Sequence, residues 1–340
     1  MRKATLAHVL VRVSVICLLL ASAQPAAAPP ARAGAPPPRD LAAYEWTSVS
    51  RLSQSEARRR FGFLRANGFR TVYLDLGNYL DVADQPENRG RQVRLALLRR
   101  ALARYVADAS SYGVAVHAVG GGPSWTGEER RYLGSKLVQL VADYNQGASK
   151  AERLGGVQLD IEPYVEASFY DDTQASLSAY LDTLQGIAQT YRSLTDQPGN
   201  DHLQLGFAIP FWFDGEPGAP GPVWWGGAAK PATFHLLDML RDLPDAYVLV
   251  MSYRNVATGP DGSIQHARGE FDYARQVGVE CGLVVGQQFG DVQPRTITFY
   301  GVGRRPFARA ADQIVAAFGG AGQFRGVSVD NLTSYMYARP

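Results

Sequence analysis

From residue 41 onward, short apolar runs alternate with longer amphipathic ones. Eight of the short runs have the β-branched and aromatic composition of strands, at 43–47, 71–76, 114–119, 156–161, 203–210, 246–252, 280–286 and 324–330. Between them the apolar positions recur at helical spacing, at 53–67, 92–112, 126–146, 173–194, 232–243, 265–277 and 306–318, several opened by Ser, Thr or Pro. Most strand runs are apolar on both faces, as parallel strands covered by helices are. Eight such units in succession predict a single-domain (β/α)8 TIM barrel over residues 41–340. An open doubly wound sheet is the poorer match, because no Gly-rich phosphate turn follows the first strand.

The first 40 residues break this pattern. Arg2, Lys3 and Arg12 precede or interrupt a short apolar run that ends in Ala21-Ser-Ala23, which reads as a signal peptide over residues 1–23 and so predicts a secreted protein. The run is too short to span a bilayer. Residues 24–40 are rich in Pro and Ala and read as an extended linker. Three of the 34 basic residues fall in this leader, which leaves 31 basic against 32 acidic. That balance builds no broad basic face, so neither nucleic acid nor an anionic membrane is expected as partner, and the exported chain is expected to be a monomer. Of the two cysteines, Cys17 lies in the leader and Cys281 in an apolar run, so no internal disulfide is available and Cys281 reads as a core thiol.

In this fold chemistry gathers where strands end at the C-terminal face. The fourth run closes as Leu154-Gly-Gly-Val-Gln-Leu-Asp-Ile-Glu-Pro-Tyr164, and strand alternation places Gln158, Asp160 and Glu162 on one face. Two acids this close in a partly desolvated site repel. One is driven toward its protonated form, the division between proton donor and charge stabiliser that a glycosidase uses. The alternative is a structural pair held by arginines or by a helix start.

The segment Gly155-Gly-Val-Gln-Leu-Asp-Ile-Glu162 resembles the fourth-strand signature of the family 18 glycoside hydrolases, the chitinase-like barrels. Val119-Gly-Gly-Gly122 resembles that family's Ser-x-Gly-Gly segment, and Met251-Ser-Tyr-Arg254 its Met-x-Tyr-Asp. The resemblance implies an enzyme that works by substrate assistance with no protein nucleophile, and no metal or cofactor is expected. Glu162 would protonate the leaving oxygen, Asp160 would orient the substrate's own acetamido group as it attacks, and Tyr253 would hydrogen-bond that group's carbonyl. Gly155 and Gln158 stand where the family has two earlier aspartates, Arg254 replaces the acid after the tyrosine, and Asp330 occupies the place of a tryptophan floor. The chain therefore reads as a divergent branch rather than an ordinary chitinase.

Further substrate-contact candidates follow from the other strand ends: Glu45 with Trp46, Asp75 with Asn78 and Tyr79, Tyr164, Arg254, Gln287 beside Gln288, and Asp330. Glu45 or Asp75 reads equally as an ion-pair partner of Arg254, and His117 reads as a core histidine. For a substrate without an acetamido group, Asp330 or Glu45 is the natural second carboxylate opposite Glu162. A long stretch after the fifth strand shows no helical or strand period and brings Trp212, Trp224 and Trp225, with Asp214 and Glu216, to the active end, where flat rings suit sugar faces. Residues 295–301 alternate like an extra strand or hairpin, and the arginine groups 58–60, 99–100 and 304–305 read as solvated helix faces. No Gly-x-Ser-x-Gly, P-loop, His-Glu-x-x-His or Cys-x-x-Cys is present. The expectation is a glycoside hydrolase acting on a polysaccharide or cell-envelope glycan, and the alternative is a catalytically silent, lectin-like barrel.

Overall fold

The computed structural model describes residues 40–215 and 219–340. The expected signal peptide, the linker up to residue 39, and Glu216 lie outside the described residues. Eight parallel strands close into a barrel: β1 (Leu41–Glu45), β2 (Phe69–Asp75), β3 (Ala115–Gly120), β4 (Gly156–Leu159), β5 (Gln204–Pro210), β8 (Ala246–Met251), β9 (Gly282–Gln288) and β10 (Phe324–Asp330). Their order around the cylinder is the order of the chain, and β10 closes on β1. The (β/α)8 barrel expected from the alternation of runs is the observed fold.

Helices α1 (Gln54–Ala66), α2 (Gly77–Asp84), α3 (Arg89–Ser111), α4 (Tyr132–Gln146), α5 (Thr173–Arg192), α6 (Ala232–Met239), α7 (Ser263–His266), α8 (Arg268–Val277), α9 (Arg304–Phe318) and α10 (Leu332–Tyr337) connect or follow the strands. Their starts follow from local chemistry. Ser53, Asn88, Asp172 and Asn331 each accept a backbone N–H of the first turn of α1, α3, α5 and α10. The seven expected helices are present, the one expected at 265–277 being split between α7 and α8, and α2 and α10 are additions. Both follow strand ends directly and hold buried apolar positions such as Leu80, Val82 and Leu332.

Each strand has two buried faces. One, carrying Val72, Leu74, Val157, Leu159, Val248, Val250, Val327 and Val329, packs with the helices in a continuous outer core that also holds Cys281. The other fills the cylinder with Tyr44, Tyr73, Val119, Ala208, Tyr247, Leu249, Met251 and Val284. His117 belongs to this plug: its Nδ1 lies 3.1 Å from the Tyr247 hydroxyl, and burial lowers its pKa to about 4. It is a neutral core histidine.

Two connections differ from expectation. Within the stretch read as structureless, β6 (Val223–Trp225) and β7 (Ala228–Lys230) form an antiparallel hairpin closed by Gly226 and Gly227, both at positive φ. Residues 295–301 make no strand but a short 3-10 helix followed by a turn, with the Thr298 hydroxyl donating to the Gly290 carbonyl at 2.8 Å. The closed barrel offers no free edge on which an extra strand could pair.

Candidate active site

The phase of each strand decides which residues reach the mouth of the barrel. Tyr73 lies inside, so Asp75 two residues later does too. In the same way Val119 leads to Gly121, Ala208 toward Pro210 and Trp212, Met251 to Tyr253, Val284 to Gln288, and Tyr44 to Trp46. Val119 pairs with Gln158 and Gly286 with Ser328, which sets Asp160 and Asp330 on the same interior face.

Asp160 and Glu162 follow the end of β4. The turn after β3 passes directly over them. A Cβ on Gly121 would sit 2.0 Å from the Asp160 carbonyl oxygen, so only glycine fits there. The Asp160 N–H donates to the Gly120 carbonyl at 3.1 Å. The Gly-Gly segment thus works as a close-approach device that fixes the backbone of the acids. Gln158, one step deeper, is fully buried and donates to the Tyr44 hydroxyl at 3.2 Å. Its Oε1 occupies the space a Cβ on Gly206 would need. Gln158 therefore supports the floor beneath the acids rather than lining the open cleft.

Asp160 Oδ1 is buried and has no hydrogen-bond partner. Glu162 accepts a hydrogen bond from the Tyr164 hydroxyl. The Tyr164 ring is held edge-on by Trp212 at 5.1 Å and Phe213 at 5.9 Å between centroids. Across the mouth, Asp330 accepts from Trp46 Nε1 and from Gln288 Nε2, each at 2.7 Å. Trp46 in turn stacks on Tyr44 with centroids 5.3 Å apart. Among the described residues, no lysine, arginine or histidine forms an ion pair with Asp160, Glu162 or Asp330.

The electrostatics follow from this lack of cations. Burial pushes the Asp160 carboxyl well above the usual carboxylate range, and the charges of Glu162 and Asp330 push it further. Burial also raises Glu162; the Tyr164 hydroxyl works against the rise and the charge of Asp330 adds to it. Asp330 is raised by burial, with the Trp46 and Gln288 donors favouring its anion. Burial raises the Tyr253 phenol too, and next the charge of Asp330 and of the two other acids, so it stays a neutral donor facing all three. Asp75 lies inside, but its Oδ1 accepts from the Gly77 N–H at 2.8 Å and begins α2.

Several expected contacts lie elsewhere. Leu41 and Ala43 face the helices, so Glu45 does as well. It is buried against α1 in an ion pair with Arg60, and it also accepts the Thr47 N–H at 2.9 Å. Arg60 is therefore no solvated residue. Gln287 shares its face with Val285 and accepts from the Ser263 hydroxyl of α7 at 3.2 Å; Gln288 is the residue that enters the site. Arg254 points away from the acids, pairs with Asp261 at 2.7 Å and lies 5.1 Å over the Phe211 ring, so neither Glu45 nor Asp75 is its partner. Of the three loop tryptophans only Trp212 adjoins the cluster. Trp225 donates to Asp182 of α5 at 2.9 Å, and Trp224 is 69% exposed on the hairpin.

An open groove of about 730 Å³ extends from Trp212 past Tyr170, Thr173 and Gln174 to residues 219–221. A second cavity, of about 260 Å³, lies at the opposite, N-terminal end of the barrel among Arg70, Tyr73, His117, Tyr247 and Arg325. That end carries stability rather than chemistry in this architecture, so the groove that shares Trp212 with the Tyr164–Glu162 contact is the candidate cleft.

No family model and no curated protein matches the sequence. Solved structures resemble it in fold. The endo-1,4-beta-D-mannanase of Thermotoga petrophila is 11% identical, with a TM-score of 0.56 over 86% of this chain and 88% of that one. The catalytic domain of the beta-amylase of Paenibacillus polymyxa is 11% identical, with a TM-score of 0.51 over 87% and 92%. A GH18 chitinase from Pseudoalteromonas aurantia is 11% identical, with a TM-score of 0.49 over 86% and 93%. Identities this low carry the shared barrel and no more.

Proposed function

We propose that the protein is an exported glycoside hydrolase, a divergent family 18-like barrel, that cleaves a polysaccharide or cell-envelope glycan as a monomer. The observation that carries this reading is the pair Asp160 and Glu162, projecting into the mouth of the barrel without a cationic partner. A structural acid pair is neutralised by arginine or lysine. An unneutralised pair holds a proton at a pH where exposed carboxylates have none, which is what a general acid requires.

In this reading Glu162 gives its proton to the glycosidic oxygen as the bond breaks. Asp160, deeper and more strongly desolvated, keeps the shared charge of the pair low. The Tyr253 hydroxyl offers a hydrogen bond to the sugar in the reacting position, and Trp212 with Tyr170 gives ring surface for the units that follow along the groove. Among the described residues the groove lining has no ionic side chain, which suits an uncharged stretch of glycan.

The test is a screen of amino-sugar and neutral polysaccharides for released reducing ends, with the parent and Glu162→Gln compared on the glycan that is cut. The parent should turn it over, and the variant should bind with unchanged affinity while losing turnover. A parent that binds sugar in the groove and cuts none of the glycans would support the lectin-like reading instead.

A further inference from the structure

The charge of the barrel mouth bears on which glycan it takes. Asp160, Glu162 and Asp330 share the mouth with neutral groups, the Tyr164 and Tyr253 hydroxyls, the Trp46 indole and Gln288, and among the described residues no basic side chain pairs with any of the three acids. Asp160 Oδ1 is buried without a partner. An anionic glycan would bring like charge into this desolvated site, and a neutral one would leave buried acids that are costly to ionise. A sugar that carries its own cation removes both penalties.

Asp330 is the acid best placed to receive that cation. Around the closed cylinder β10 and β4 are four strands apart in either direction, so Asp330 stands across the mouth from the acids that follow β4. Each of its oxygens accepts one neutral donor, Trp46 Nε1 or Gln288 Nε2, which favours the anion without cancelling its charge and leaves lone pairs on both. Trp46 brings a ring to the same place. It is 44% exposed and lays one face on Tyr44 at an interplanar angle of 14°, which leaves the opposite face for a sugar ring or an ammonium group.

We propose that Asp330 and Trp46 form a subsite for a sugar with a free amino group, so that the substrate is a partly de-N-acetylated amino-sugar polymer held through the ammonium of one unit. This deepens the glycosidase reading and rests on it. The reacting unit keeps its acetamido group, over Asp160 and Tyr253. The ammonium belongs to its neighbour on the side away from Trp212, and the groove beyond Trp212, with no ionic side chain among the described residues, takes acetylated units. Asp330 takes no part in breaking the bond. It determines specificity, and the Trp46 N–H holds its carboxylate in position.

The experiment uses the full chain with β-1,4- and β-1,6-linked N-acetylglucosamine hexamers, each fully acetylated and partly de-N-acetylated, and a galacturonic acid hexamer as anionic control. Calorimetry reads binding, and released reducing ends read turnover. In at least one linkage the partly de-N-acetylated hexamer should bind the parent about 10–100-fold more tightly than the acetylated one, the worth of one charge-assisted hydrogen bond, and the margin should shrink as sodium chloride is raised. The galacturonic acid hexamer should not bind. Asp330→Asn should erase the margin by weakening the de-N-acetylated hexamer rather than by tightening the acetylated one. Asp330→Glu, which keeps the charge, should restore part of it, with thermal melts confirming that both variants are folded. Equal affinity of the parent for the two hexamers in each linkage, or a margin that Asp330→Asn leaves intact, overturns the proposal, and release of reducing ends from the acetylated hexamer would then leave the glycosidase reading standing. The expected margin with no release from any hexamer keeps the subsite as that of a sugar-binding barrel and removes the glycosidase reading. Failure to bind any hexamer overturns both.

Discussion

Removing one hydroxyl from Tyr164 should widen the range of pH over which the protein works. The Tyr164 O–H donates to Glu162, and the ring is clamped edge-on by Trp212 and Phe213. Tyr164→Phe therefore deletes the hydrogen bond and leaves the packing in place. That bond favours the Glu162 carboxylate, against burial and the charge of Asp330, both of which favour the protonated acid. A hydrogen bond to a charged group contributes about 1.5–3 kcal/mol, and a half-buried partner belongs at the lower end. At about 1.4 kcal/mol per pKa unit, loss of the bond raises Glu162 by about one unit. A general acid must be protonated, so activity falls as pH rises through its pKa. The alkaline limb of kcat/KM against pH, which reports the free enzyme, should therefore move up by about one unit in the variant while the acidic limb stays in place. An alkaline limb that stays put or moves down would refute Glu162 as the group whose proton is used.

Three further outcomes follow from the same contacts. Asp160→Asn should stabilise the fold by about 1–3 kcal/mol at neutral pH while abolishing turnover, because it removes a buried acid that must either take up a proton or bury a charge on folding. The raised pKa of Asp160 means that its protonated form is favoured in the fold, so this gain should disappear in thermal melts below about pH 4, where the acid is protonated in both states. Glu45→Gln should cost about 1.5–3 kcal/mol by taking the buried carboxylate from Arg60, which keeps its more exposed partner Glu56, seen in denaturant unfolding, with activity per folded molecule unchanged because the pair faces α1. Trp212→Ala should weaken oligosaccharide binding by about tenfold in calorimetry, the worth of one aromatic contact, whereas Trp224→Ala should not change it.

Much of this arrangement is legible in the sequence, and the exceptions share a cause. Strands buried on both faces announce themselves as apolar runs, so all eight barrel strands are found. The fourth strand also reveals its phase, because Gln158, Asp160 and Glu162 alternate with Val157, Leu159 and Ile161. Where both faces are apolar the phase is silent. Nothing within 41–45 tells that Glu45 turns outward and Trp46 inward, and in Gln287-Gln288 two identical residues compete for one position. The signal that separates them is the pairing between neighbours, Asp330 with Gln288, which is a property of the closed barrel rather than of either strand. Likewise Trp212, Trp224 and Trp225 look equivalent in one loop. The two three-residue strands of the hairpin are too short to leave a periodic trace, and Asp182, which claims Trp225, is 43 residues away.

The central claim is that Glu162 delivers a proton to the departing glycosidic oxygen. It is tested most directly by comparing Glu162→Gln with the parent on two substrates of the same sugar, the native oligosaccharide and its 2,4-dinitrophenyl glycoside. The phenolate departs without protonation. If the account holds, the variant loses 10²–10⁴-fold in kcat/KM on the oligosaccharide and less than tenfold on the aryl glycoside. Equal losses on both substrates, or no loss on the oligosaccharide, would contradict it.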